Sequence, residues 1–293
     1  MGDKRKKISW FAQGAISTVL LSSYIHHFGD EACSATPEER SVEREMGVPI
    51  FLNETSERAE RSAFTQRVVE TYREARDNWD FFPEHFAPIR YISIEKLDAD
   101  FEVGWYNPLF HGLSLSCTED AHYCIEDDDF VHELGHAWYF ALSAEQQQQL
   151  RSEWKTISRG EYQCSAPEML LGDCEFMRAC ETASRNLATV SCYATTHLLE
   201  DLAETMMFVY ILNNPHRSLR GFPQPQPEFR DLTLQEEPRQ TFGIHFSAES
   251  FPRIRQKIEL LAEYRAFSER ERDYALHQLE AYEQSEEERG QEE

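Results

Sequence analysis

Phe130-Val131-His132-Glu133-Leu134-Gly135-His136-Ala137-Trp138 is the stretch from which the rest of the chain can be read. Phe130, Val131, Leu134, Ala137, Trp138 and Ala141 recur at steps of three and four. That spacing predicts a helix over about residues 130–142 with an apolar face. On a helix, residues four apart stand one above the other. His132 and His136 can therefore turn both imidazoles toward one metal ion. Glu133, one residue on, is rotated by about 100°, beside the pair rather than in line with it. A carboxylate so placed is free to take a proton. Two histidines buried in a core with ordinary hydrogen bonds give the same five letters, so a third ligand must decide. Just ahead, Glu126-Asp127-Asp128-Asp129 put acids at the helix start, where free N–H groups and the positive end of the dipole favour them.

The third ligand is sought in Glu200-Asp201-Leu202-Ala203-Glu204. These residues fall in a second predicted helix, about 196–213, which stops at Asn213-Asn214-Pro215. Glu200 and Glu204 again share one face. Zinc suits two imidazoles and a carboxylate with one position left to water, and Glu200 can complete that set. Glu204 can accept the ring N–H of a ligand histidine and so fix its orientation. A solvated acidic face is the competing reading. Leu199, Leu202, Ala203, Met206 and Met207 weigh against it, because they bury the helix and buried carboxylates need partners.

Two histidines on one helix and Glu-x-x-x-Glu on a later one resemble the gluzincin peptidases. The second segment looks most similar to the family of the anthrax lethal factor catalytic domain. There a tyrosine stands seven residues before the glutamate ligand, and the ligand opens an E-x-x-A-E string. Tyr193 and the run from Glu200 to Glu204 match both features. The resemblance implies one catalytic Zn2+ held by His132, His136 and Glu200, with Glu133 as general base and Glu204 behind a ligand histidine. It gives Tyr193 a hydrogen bond to the oxyanion of the tetrahedral intermediate. The implied fold class is α+β and zincin-like, a small mixed sheet packed on an active-site helix and followed by a mostly helical half. The implied activity is hydrolysis of a peptide or protein substrate by an endopeptidase.

The resemblance spans about residues 89–212. It departs at His197, where relatives often carry asparagine; His197 is either a helix-start residue or a second oxyanion donor. The interval from His136 to Glu200 is long and holds Cys164, Cys174, Cys180 and Cys192. The resemblance also offers Gly112, Leu113, Ser114 and Leu115 as a substrate strand, since an edge strand ahead of the metal helix can pair with an extended peptide. An ordinary internal strand would read the same way. Two further readings keep the scaffold: a non-catalytic zinc-binding interaction protein, and a secreted effector or toxin peptidase with one protein substrate.

Working outward, 293 residues suffice for one large domain. A net charge of −24 argues against nucleic acid or an anionic membrane surface as a partner. Residues 1–35 read as a signal peptide. Lys4 to Lys7 are basic, Ile8 to Ile25 carry no charge, and Cys33, Ser34 and Ala35 are small. A secreted or periplasmic protein follows, or else a membrane anchor at residues 8–25. Beyond Cys33 six cysteines remain, suited to three disulfides in an oxidising compartment. Cys117 with Cys124 is the local pairing, and the other four pair among themselves; six reduced, buried thiols are the alternative. Residues 36–48 read as a linker and 49–283 as the peptidase domain. Within it lie a cysteine-rich insertion at 160–192 and a Pro-rich loop at 215–250. Residues 284–293 read as a disordered acidic tail. Strands are predicted at 48–52, 89–94, 101–106 and 112–117, and further helices at 54–79, 144–157 and 251–282.

Overall fold

A computed structural model of the chain describes residues 37–52, 58–96, 104–117, 127–160, 162–164, 183, 186–214 and 249–292. The expected signal or anchor segment, most of the cysteine-rich insertion and nearly all of the Pro-rich loop lie outside them. The architecture is α+β, mostly helical with one small mixed sheet. Among the described residues no helix is long and apolar enough to cross a membrane.

The sheet contains β1 (Ile50–Leu52), β2 (Tyr91–Lys96), β3 (Gly104–Asn107) and β4 (Gly112–Cys117), in the spatial order β1-β2-β4-β3. β1, β2 and β4 run parallel, and β3 runs antiparallel to β4. Side chains alternate faces along a strand. Ile92, Ile94, Leu113 and Leu115 accordingly form one fully buried face, while Ser93 Oγ and Ser114 Oγ meet at 2.7 Å on the other. β3 is in register, Tyr106 opposite Leu113 and Trp105 opposite Ser114. Tyr106 therefore joins the buried face, and Trp105, 52 % exposed, lies on the outer one.

α1 (Pro37–Met46), α2 (Arg58–Asn78) and the short α3 (Phe82–Phe86) precede β2. α4 (Asp127–Ala141) carries the two histidines, and its Phe140 ring stacks on Tyr106 with centroids 6.0 Å apart. The sheet thus packs on α4 through its buried face. α5 (Ala144–Ser158) follows; its start is closed by a reciprocal Ser143–Gln146 capping box at 3.0 and 3.2 Å. A single 3-10 turn at Tyr193–Thr195 leads into α6 (Leu198–Asn213). α6 is buried on nearly every side from Asp201 to Ile211. α7 (Phe251–Glu263) and α8 (Glu269–Glu292) complete the helical half.

Four expectations are corrected. Residues 36–48 are no linker: 37–46 are helical, Met46 and Val48 are buried, and Arg73 of α2 holds Glu45 at 2.7 and 2.8 Å. The charge of the segment hid that anchor. The helix expected over 251–282 is two helices. Arg265 turns left-handed (φ 62°), and Ser268 with Glu271 forms a capping box that starts α8. Residues 284–292 continue α8 rather than forming an irregular tail. Finally, Gly112, Leu113, Ser114 and Leu115 form no edge. β4 is paired on both sides, and the edge next to it belongs to β3. The physical reason is a tight β3–β4 connection, in which Asn107 Oδ1 accepts the Leu109 and Phe110 N–H groups and folds β3 back over the outer side of β4.

Candidate metal centre

α4 and α6 touch backbone to backbone, and Gly135 is why. A Cβ placed there would stand 3.0 Å from Ala203 Cα and 3.4 Å from Met206 Sδ. The missing side chain lets the two helices close until their polar residues meet. His132 Nε2 and His136 Nε2 lie 3.2 Å apart. Glu200 Oε2 is 3.2 Å from the first and 3.3 Å from the second. The three donor atoms thus form a nearly equilateral triangle. Around an ion with tetrahedral bonds of about 2.0–2.1 Å, adjacent ligands stand about 3.3 Å apart. The triangle fits one face of such a polyhedron, and the donor set could hold a metal ion. The structure brings together all three residues expected from sequence.

The supporting groups are in place as well. Glu204 Oε1 lies 2.7 Å from His132 Nδ1, which turns Nε2 toward the triangle. Glu133 is 6 % exposed. Burial raises the Glu133 pKa, against the pull of His136 and His132. Burial lowers that of His132, but Glu200 and Glu204 together overcome it and hold the ring well above the ordinary histidine value. Glu200 is held well below the carboxylate range, because His136 and His132 outweigh its burial. Tyr193 sits on the 3-10 turn with its ring centroid 5.7 Å from that of His132. His197 caps α6, its Nδ1 accepting the Leu199 N–H at 3.2 Å; burial lowers its pKa.

Beside the triangle stands a buried cluster that the sequence reading did not include. Asp201 Oδ2 accepts from Lys257 Nζ at 2.7 Å, Trp154 Nε1 at 2.8 Å and Tyr162 OH at 2.7 Å. Burial pushes Asp201 up and Lys257 down. The signal was present: Lys257 falls between Ile254, Ile258 and Leu261 on the apolar stripe of its helix, where a lone charge demands a partner. Cys164 and Cys192 are disulfide-bonded. The particular pairings expected from sequence rest on residues outside the described set.

Compared with protein families, with curated proteins and with solved structures, this chain matches none.

Proposed function

We propose that the chain is a zinc-dependent endopeptidase of the gluzincin kind. The reading rests on one observation: a 3.2–3.3 Å triangle of two imidazole nitrogens and a carboxylate oxygen, with a buried glutamate next to it in the helix. His132, His136 and Glu200 would hold the ion. Bound there, zinc supplies Lewis acidity, polarising a carbonyl and acidifying a coordinated water. Glu133 takes the proton of the attacking water and delivers it to the leaving amine; its raised pKa suits a group that must both accept and release. Tyr193 donates to the oxyanion of the tetrahedral intermediate. Glu204 keeps His132 in the tautomer that presents Nε2.

The resemblance to the anthrax lethal factor family, and a zincin-like reading of the sheet, α4 and α6, belong to the same proposal. In it the extended substrate pairs with β3 rather than β4. β3 is the antiparallel edge strand. Pairing with a sheet edge reads backbone, so the substrate is a peptide or an unfolded protein segment. Export fits too, given the N-terminal pattern of residues 1–35 and the bonded Cys164 and Cys192.

The test is metal analysis together with a mixed peptide library. Wild type is expected to bind one zinc and cleave internal peptide bonds. Glu133→Gln should keep the zinc and lose at least about a thousandfold in kcat. Full hydrolysis by Glu133→Gln, or a wild type that binds no zinc, would overturn the reading.

A further inference from the structure

Two charges lie fully buried outside the triangle. Lys257 and Asp201 are joined at 2.7 Å, and neither side chain is exposed. Lys257 spends its three protons on Asp201 Oδ2, at 2.7 Å, and on the Leu187 and Ala188 carbonyls, each at 3.0 Å. Trp154 and Tyr162 donate to the same Asp201 oxygen. α5, α6, α7 and the segments at 162 and 187–188 therefore meet at one ion pair. Stability alone does not account for it, because apolar residues of equal volume commonly serve a core as well as a buried pair or better.

What an ion pair adds is direction. Ala188 is left-handed (φ 51°), a conformation costly for a residue with a Cβ, and Lys257 holds its carbonyl there. Tyr193 lies five residues on. The path between them is tight: Thr189, Val190 and Ser191 are buried, and Ser191 Oγ accepts the Ala194 N–H at 3.0 Å. At the far end Gln163 and Cys164 donate their N–H groups to Thr195 and Thr196. On the other side of the pair, Asp201 follows Glu200 directly, about 100° around the helix. Fixing Asp201 therefore fixes the rotation of α6 at the point where Glu200 leaves it.

We propose that Lys257 and Asp201 are positioning residues, a buried pair that locks the Tyr193 segment and the Glu200 turn of α6 into one frame around the metal triangle. The catalytic part of the test rests on the peptidase reading; the rest does not. Lys257→Met alone would strand Asp201 without its partner, so the variant of choice is Lys257→Met with Asp201→Asn, which removes both charges and keeps the volume. Amide hydrogen exchange on the metal-free full chain comes first. Protection should fall about tenfold or more at residues 189–195 and 200–204 together, and stay unchanged in α2 and α8. Zinc affinity should fall about tenfold or more in competition with a chelator. Tyr193→Phe, costly to kcat in the wild type, should cost little in the double variant, because its ring is already out of register.

Unchanged exchange at both segments overturns the proposal, as does a loss spread evenly over the chain. Wild-type zinc affinity together with a full Tyr193→Phe effect in the double variant also overturns it. A wild type that binds no zinc overturns the peptidase reading instead, and the exchange result then judges the pair on its own.

Discussion

Replacing Gly135 with alanine asks whether the close approach of α4 and α6 builds the proposed metal centre. The new Cβ would meet Ala203 Cα at 3.0 Å and Ala203 Cβ at 3.3 Å. Carbon atoms prefer about 3.5–4.0 Å, so the shortfall is about 0.5 Å. Ala203 lies fully buried in the middle of α6 and its backbone cannot swing aside, so the helices must part. The His132–His136 edge lies within α4 and stays. The two edges to Glu200 cross between helices and lengthen, and metal sites tolerate only about 0.2 Å. Stability should fall by about 0–2 kcal/mol. Alanine gains about 1 kcal/mol of helix propensity, and overpacking costs about 1–3 kcal/mol. Zinc affinity is expected to fall about tenfold or more, measured by chelator competition alongside a thermal melt. Ala203→Gly in the same chain removes the 3.3 Å contact but not the 3.0 Å one, and should restore affinity only in part. Wild-type affinity in Gly135→Ala would refute the reasoning.

Other perturbations reach the remaining parts of the site and the core. Glu204→Ala removes the 2.7 Å partner of His132 Nδ1 and should weaken zinc binding about 10–100-fold in the same competition assay; unchanged affinity would strip Glu204 of that role. Tyr193→Phe should lower kcat about a hundredfold with KM and zinc content unchanged, and equal kcat in steady-state kinetics would remove Tyr193 from the mechanism. His85 is 1 % exposed, and burial lowers its pKa from 6.5 to about 3, with the Phe81 and Ala266 carbonyls opposing in part. The unfolded chain therefore takes the proton first. That contribution to stability is whole above about pH 6.5 and is lost as pH falls toward 3, at up to about 1.4 kcal/mol per unit. His85→Phe should flatten the unfolding curve in that window, and an equal slope in urea titrations would contradict it.

Much of the fold could be read where burial is local. Leu113 and Leu115 alternate with Ser114 and Ser116, and the β4 strand appears with the expected bounds. What failed depended on partners distant in sequence. The segment 36–48 looks like a charged linker until Glu45 meets Arg73. β4 looks like an edge until β3 folds back beside it. The break between α7 and α8 has a local signal: Ser268-Glu269-Arg270-Glu271 is a capping-box string, masked by its apolar neighbours.

The site divides along the same line. One edge of the triangle lies within a single helix, and the four-residue spacing of His132 and His136 dictates it whatever the rest of the chain does. The other two edges join residues 64 and 68 positions apart, and no local rule supplies them. They depend on a glycine that lets two backbones touch, on Glu204 reaching His132 from the next turn of α6, and on the rotation of α6 itself. Sequence could nominate Glu200 from its spacing to Glu204, from the resemblance, and because a helix as apolar as Leu198–Asn213 cannot leave carboxylates unpaired. It could not say that Asp201, the next residue, satisfies the same demand about 100° around the helix through Lys257. Adjacent acids on one buried helix, about 100° apart, each need a partner. Lys257 serves one of them; the other meets two imidazoles in a 3.2–3.3 Å triangle, the arrangement on which the proposed metal rests.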